Sequence, residues 1–216
     1  MRTKAIIFDL DGTLLDTLFD IANCTNMTLE AFGYPGHPVA AYKKFIGEGV
    51  TRLLERALLP VTVTLDEYQR LLARFTMHYR EHGSDHACLY PGIAGLLDDL
   101  QARQIQCNIL SNKPHPLTQA IVQELLSSWD FTTVLGQRDE VPRKPDPAAV
   151  FEIMARSDVD TTEYMFVGDT VTDHETARAA GIRSVSVLWG FQESGELQAA
   201  GASVLLQSPM ELLQQL

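Results

Sequence analysis

Two aspartates that are two residues apart, Asp9 and Asp11, follow the short apolar run of residues 5–8. Such a run is typical of a buried strand, and reacting groups in α/β proteins gather beyond the carboxyl ends of strands. Side chains at positions i and i+2 point the same way, so one carboxylate can attack a phosphorus atom while the other moves protons. Because two such acids repel each other in a partly buried turn, they favour a hard cation such as Mg²⁺. The segment predicts a phosphoryl-transfer centre.

Gly12 and Thr13 come directly after this pair. The glycine lets the chain turn sharply, and the threonine hydroxyl with nearby amides can bind an anion. A Ca²⁺ loop of the EF-hand type fits poorly, because its sixth position needs a glycine where Leu14 stands and because the preceding residues favour a strand. An ordinary turn remains open as the alternative from these residues alone.

Three further polar clusters follow predicted strands or lie in the loops that leave them. Ser111 and Asn112 end one strand with a hydroxyl and an amide that can bind phosphate oxygens or simply cap the strand. Lys144 lies in a proline-stiffened turn and is the best candidate for a fixed cation, although most lysines are flexible surface residues. Asp169 follows another strand and can complete a Mg²⁺ site. Asp173 is expected either to ligate the metal, to support its ligands, or to cap the next helix.

The elements that must position these residues follow from the hydrophobic periodicity. Helix and strand patterns alternate from about residue 90 to the end, including a helix predicted over 173–180, and such alternation indicates parallel strands. Only helical patterns occur between about residues 16 and 85. We therefore predict an α/β fold with a doubly wound, Rossmann-like parallel sheet from residues 1–15 and 86–216. An all-helical cap domain, residues 16–85, is inserted after the first strand.

The composition limits the partners of the chain. Its 216 residues are 45% hydrophobic, and 17 basic against 28 acidic side chains give a formal charge of −11. This charge argues against nucleic acids and anionic membranes as partners. Three scattered cysteines indicate neither a disulfide framework nor a zinc site, so we expect a cytoplasmic protein. The sequence leaves open whether the chain is a monomer or a homodimer.

These motifs, taken in order, resemble those of the haloacid dehalogenase-like hydrolase superfamily. The resemblance covers essentially the whole chain, including a helical cap between the first and second motifs. The matching segments are Asp9-Leu10-Asp11-Gly12-Thr13, Ser111-Asn112, Lys144-Pro145 and Gly168-Asp169-Thr170-Val171-Thr172-Asp173.

The resemblance implies a role for each motif residue. Asp9 would form an aspartyl phosphate, and Asp11 would protonate the leaving oxygen and then activate water. Mg²⁺ would be bound by an Asp9 oxygen, the Asp11 backbone carbonyl and the Asp169 carboxylate. The other phosphate oxygens would be held by Thr13, Ser111 and Lys144. An acid at position 11 favours phosphatases and phosphomutases over enzymes that cleave carbon–halogen bonds.

Within the superfamily, the chain looks most like the phosphoglycolate phosphatase group, through residues 45–49, 55–58 and 111–114. The expected substrate is a small phosphorylated metabolite. A phosphomutase, a pyrophosphatase and an inactive module that binds a phosphorylated ligand remain alternatives. Charged residues of the cap are candidates for contact with the substrate's distal group, although charges on a helix are usually solvated. These cap candidates are Lys43, Lys44, Glu48 and Arg52.

Overall fold

A six-stranded parallel sheet forms the centre of the computed structural model, which describes residues 2–216. The order of its strands is β5-β4-β1-β6-β7-β8, and every neighbouring pair is parallel. The strands of the chain are β1 Ala5–Phe8, β2 Leu15–Asp16, β3 Cys88–Leu89, β4 Gln106–Pro114, β5 Thr133–Gln137, β6 Tyr164–Gly168, β7 Arg183–Val187 and β8 Leu205–Leu206.

Helices connect these strands, and three 3₁₀ helices lie at Val39–Lys44, Thr161–Glu163 and Pro209–Gln214. The α-helices are α1 Leu18–Ala31, α2 Gly49–Leu58, α3 Leu65–His82, α4 Ile93–Ala102, α5 His115–Leu125, α6 Ala148–Met154, α7 Val171–Ala180 and α8 Ser194–Ala199. Among residues 2–216, none of the helices combines the length and apolar character needed to cross a membrane.

The central strand β1 explains why helices cover both faces of the sheet. All four of its residues are buried, and their side chains alternate between two hydrophobic clusters. Ile6 and Phe8 pack in the cluster with α4 and α5, whereas Ala5 and Ile7 pack in the cluster with α6 and α7. A parallel strand that is buried on both faces reads as an unbroken apolar run. The predicted doubly wound α/β fold is confirmed.

A helical segment is inserted between β2 and β3, and its helices α1, α2 and α3 share a hydrophobic cluster that also includes Leu117 of α5. The two flanking strands form an antiparallel ribbon in which Leu15 pairs with Leu89 and Asp16 with Cys88. The ribbon was not predicted from the sequence. Asp20, in the first turn of α1, also accepts hydrogen bonds from the backbone N–H groups of residues 86 and 87. The domain boundaries at 15/16 and 85/86 stay a prediction.

Candidate active site

The carboxyl ends of three neighbouring strands bring the predicted polar residues to one edge of the sheet. Asp9 follows β1, Asp169 follows β6, and Ser111 lies in the last part of β4. Lys144 comes from the loop after β5, and its Nζ lies 2.9 Å from an Asp9 carboxylate oxygen. All four residues are buried. Residues separated by up to 160 positions in sequence are thus neighbours because parallel strands share their carboxyl edge.

Three carboxylates form a buried acidic cluster, which we call the acidic trio: Asp9, Asp169 and Asp173. Each offers one oxygen, and these oxygens all lie within 4.8 Å of one another. Burial, together with the charge of Asp173, raises the pKa of Asp9 to about 7. Burial and the nearby Asp9 also raise the pKa of Asp169 well above its usual range. An all-oxygen set of mutually repelling carboxylates fits a hard divalent cation, which would neutralise them.

Lys144 is the cation next to the acidic trio. Its ammonium group donates to an Asp173 oxygen at 2.6 Å and to the Leu110 carbonyl at 3.0 Å, in addition to its contact with Asp9. Burial opposes its charge, but Asp173 and Asp9 together raise the pKa of Lys144 above its ordinary value. Lys144 is therefore a fixed positive charge beside the carboxylate predicted to attack phosphorus.

Asp173 is not the N-cap residue of a helix, as its sequence position suggested, but it takes part in capping α7. Helix α7 begins two residues earlier than predicted, at Val171, with Thr170 as its N-cap. Asp173 is the third helical residue and completes a capping box. Its Oδ2 accepts hydrogen bonds from the backbone N–H and the hydroxyl of Thr170, while its Oδ1 accepts from Lys144. The reciprocal capping bonds stabilise the early helix start, which a search for a single N-cap residue does not detect.

The Asp11 carboxylate makes its hydrogen bonds with residues outside the acidic trio. Lys113 Nζ donates to both of its oxygens, at 2.8 and 2.9 Å, and the Thr17 hydroxyl donates to Oδ1 at 2.8 Å. Asp11 lines the active-site pocket together with Asp9. The two aspartates of the first motif therefore have separate surroundings, as a nucleophile and a proton-transfer group require.

Gly12 allows the chain to pass close to Asp169. Its φ of +88° lies in the region that favours glycine, and a Cβ at this position would lie 2.4 Å from an Asp169 carboxylate oxygen. The Thr13 hydroxyl donates to the other Asp169 oxygen at 3.1 Å, and the Phe191 backbone N–H donates to Oδ2 at 2.8 Å. In this structure Gly12 and Thr13 thus position Asp169, and their predicted phosphate contacts stay predictions.

Ser111 and Asn112 differ in what their side chains do. Ser111 lines the pocket, and its hydroxyl accepts from the backbone N–H of Lys113 at 3.2 Å. The amide of Asn112 accepts from the Lys144 backbone N–H at 2.9 Å and donates to the carbonyls of Lys144 and Gly47, both at 3.1 Å. Asn112 therefore positions the lysine loop and a loop of the helical segment, and its predicted phosphate contact stays untested.

A pocket that is partly open to solvent lies beside these residues, and Asp9, Asp11 and Ser111 line it. The helical segment contributes an apolar wall, formed by Ile21, Ile46, Val50, Leu53, Phe75 and Tyr79. The four charged residues predicted to meet the substrate do not line this pocket. Lys43, Lys44 and Arg52 are exposed, and the Glu48 carboxylate pairs with Arg56. In this structure the cap side of the pocket is apolar rather than charged.

Three residues that shape the site were not predicted from the sequence. Lys113 binds Asp11, and Arg143 Nη1 donates to the Glu48 carbonyl at 3.0 Å. Gly190 lies so close to Asp169 that a Cβ there would be 2.4 Å from its carboxylate. Of these three, only Lys113 could have been inferred from a pattern. Strand β4 continues to Pro114, so residues 111 and 113 lie on the same face of the strand.

Comparisons with known proteins identify the family of the chain. The family model of haloacid dehalogenase-like hydrolases matches residues 6–187. The chain is 30% identical to a phosphoglycolate phosphatase of Chromobacterium violaceum over 97% of this chain and 94% of that protein. It is 34% identical to a phosphoglycolate phosphatase of Rhodospirillum rubrum over 87% of this chain and 80% of that protein. A crystal structure from Lactobacillus delbrueckii subsp. bulgaricus, of a protein provisionally named phosphoglycolate phosphatase, superposes with a TM-score of 0.93 and 30% identity, covering 100% of this chain and 98% of that one. The chain belongs to the haloacid dehalogenase-like hydrolases.

Proposed function

We propose that this protein hydrolyses a small phosphate monoester, similar to phosphoglycolate, through an aspartyl-phosphate intermediate and with Mg²⁺ as its cofactor. The chain is a phosphoric monoester hydrolase, similar to phosphoglycolate phosphatases over nearly its full length. One observation carries the proposed mechanism. The Asp9 carboxylate contacts the fixed cation Lys144 and lies within the acidic trio, while Asp11 faces the same pocket from different surroundings.

In the first step, an oxygen of ionised Asp9 attacks phosphorus and forms a new O–P bond. The bond between phosphorus and the substrate's ester oxygen breaks, and Asp11 donates a proton to that leaving oxygen. In the second step, Asp11 accepts a proton from a water molecule whose oxygen attacks the same phosphorus. The Asp9–phosphate bond then breaks, which releases inorganic phosphate and restores both carboxyl groups.

The charges around the site account for the proposed need for a divalent cation. Four aspartates and two lysines meet here, so their formal charges sum to −2: Asp9, Asp11, Asp169, Asp173, Lys113 and Lys144. A phosphate dianion would be repelled by this site without further positive charge. An Asp9 oxygen, the Asp11 carbonyl and the Asp169 carboxylate would bind Mg²⁺. When bound, Mg²⁺ neutralises charge on the phosphoryl oxygens.

Residues of the core and the cap would together hold the phosphoryl group and exclude water. Lys144 and Ser111 would bind phosphoryl oxygens, which is supported by the contact of Lys144 with Asp9 and by the position of Ser111 in the pocket lining. The Gly12 and Thr13 segment lies next to the acidic trio. The cap loop, residues 47–49, is attached to the core by hydrogen bonds from Asn112 and Arg143. We infer that this attachment keeps the cap over the reacting atoms and so limits the access of bulk water.

The proposed cellular setting follows from the cysteines. Cys24, Cys88 and Cys107 are all free thiols, and two of them are buried. Free thiols persist in a reducing compartment, which supports a cytoplasmic location as part of this proposal.

Turnover assays with purified protein test the proposal. Phosphate release from phosphoglycolate or p-nitrophenyl phosphate is expected only with Mg²⁺, and Asp9→Asn is expected to abolish it. The matched control is Asp66→Asn on the exposed surface of α3, which removes the same charge away from the pocket. Full turnover by Asp9→Asn would refute the mechanism. Isomerisation of a hexose phosphate without phosphate release would indicate a mutase instead.

A further inference from the structure

Lys113 stands out within the active-site pocket. Among the residues that line the pocket in the described part of the chain, it is the only lysine or arginine. Its side chain is 5% exposed, so the cation is held at a defined place in the wall. Although burial opposes its charge, the neighbouring Asp11 raises the pKa of Lys113, and the side chain stays protonated. An ammonium group has three donors, and the two oxygens of Asp11 accept from this one.

Tyr79 of α3 faces this cation from the cap. Lys113 Nζ lies 4.4 Å from the centre of its ring, a favourable cation–π distance. The residue is 5% exposed, and within residues 2–216 its hydroxyl lies near Lys113 without a well-formed hydrogen bond. Burying a hydroxyl without a partner is unfavourable, so a ligand group that accepts from it would gain binding energy. An ammonium and an unpaired hydroxyl therefore border one part of the pocket.

Among the described residues, the other side chains of the cap wall carry no charged or hydrogen-bonding group that could bind an anion. Apart from Tyr79, its residues carry only aliphatic or aromatic side chains, and Leu117 of α5 extends this apolar surface. A carboxylate held against such a surface would lose its hydration without compensation. Lys113 is thus the one charged side chain of the described pocket lining that attracts a second negative charge on the substrate, and Tyr79 lies beside it.

The position of Lys113 also sets how far this second charge lies from the reacting bond. Asp11 would contact the leaving oxygen, and Lys113 Nζ contacts both Asp11 oxygens. Two successive hydrogen-bonded contacts place Nζ within about 5.6 Å of the leaving oxygen. A carboxylate that is separated from the ester oxygen by one or two carbon atoms lies close enough to this oxygen to contact the lysine.

We propose that Lys113 and Tyr79 bind the distal carboxylate of the substrate, so that the enzyme selects short phosphorylated carboxylic acids. This inference rests on the proposed function and adds the residues that determine specificity. In the alternative, Lys113 only positions Asp11 and has no influence on which substrate is chosen.

The test compares two substrates that differ in one group: phosphoglycolate, which carries the carboxylate, and 2-hydroxyethyl phosphate, which carries a neutral hydroxyl instead. The readout is the ratio of their kcat/KM values, because damage to Asp11 lowers both values and cancels in the ratio. Wild-type protein is expected to favour phosphoglycolate. Lys113→Met is expected to reduce the ratio by about 10- to 100-fold, and Tyr79→Phe by about three- to tenfold.

Lys4→Met is the matched control, because it removes the same charge from an exposed residue at the opposite end of β1. It should leave the ratio unchanged. An unchanged ratio in Tyr79→Phe and in folded Lys113→Met would overturn the inference, and so would a wild-type ratio near one with Asp9-dependent turnover of both substrates. In that second case the proposed function would stand. Absence of Asp9-dependent phosphate release from either substrate would refute the function itself. If Lys113→Met does not fold, Tyr79→Phe decides.

Discussion

Replacement of Asp9 by asparagine is expected to stabilise the metal-free protein while it removes activity. Burial and the neighbouring carboxylate of Asp173 raise the pKa of Asp9 from 3.8 to about 7. The unfolded chain therefore ionises this group at a lower pH than the folded protein does. The contribution of Asp9 to the free energy of unfolding of the wild type therefore falls as the pH rises from about 4 to 7, and it stays constant above pH 7. The asparagine variant cannot ionise and lacks this loss.

The size of the effect follows from the shift in pKa. A rise of about 3 pH units corresponds to about 4 kcal/mol at 1.36 kcal/mol per unit, the largest gain expected above pH 7. At pH 5 the same relation gives only about 2 kcal/mol. Lys144 loses a charged partner in the variant but keeps its 2.6 Å contact with Asp173. A measured gain of about 2–4 kcal/mol at pH 8 is therefore expected.

Urea unfolding in the presence of EDTA measures this gain. Wild-type protein, Asp9→Asn and the surface control Asp66→Asn are compared at pH 5 and pH 8. The free energy of unfolding of Asp9→Asn should exceed that of wild type by a larger margin at pH 8, and the control should show no such trend. A variant that is less stable than wild type at pH 8, or a stability difference that does not vary with pH, would contradict a raised pKa of Asp9 in the folded protein.

Three further predictions concern the metal, the glycine turn and the cap loop. Mg²⁺ must displace protons from Asp9 and Asp169, whose pKa values are raised, so its affinity should rise between pH 5 and 7 with proton release, measured by calorimetry in two buffers. Gly12→Ala should lower both Mg²⁺ affinity and turnover by at least about 100-fold, because its Cβ would meet a carboxylate of the trio. Gly33→Ala, which also has a positive φ but nothing within 4 Å, should cost only about 1 kcal/mol in unfolding experiments and leave turnover unchanged. Arg143→Met should raise KM several-fold by releasing the Glu48 carbonyl, and an unchanged KM would contradict a closing role for this contact.

The parts of the fold with strong periodic signals were predicted well from the sequence. The run of residues 5–8 is buried on both faces as β1, and the alternation after residue 90 corresponds to the parallel sheet. The ribbon of β2 and β3 escaped prediction because two residues per strand are too few to show a period. Such pairing depends on tertiary contacts that bring positions 15 and 89 together.

The candidate site shows the same division between local and tertiary information. The position of Asp9, Asp169 and Lys144 at strand ends was visible in the sequence, because parallel topology makes those ends neighbours. The engagement of Asp11 by Lys113 was not visible, because it joins residues 102 positions apart. The charges of the cap helix were equally ambiguous, since helical spacing does not distinguish a pocket face from a solvated face.

Location of the phosphorylated residue is the most direct test of the proposed mechanism. Protein mixed with phosphoglycolate and Mg²⁺ is quenched in acid within milliseconds, and its peptides are analysed by mass spectrometry. We expect a phosphoryl group on Asp9 during turnover of the wild-type protein, and none at residue 9 of Asp9→Asn. A phosphoryl group on any other side chain during turnover would contradict the mechanism.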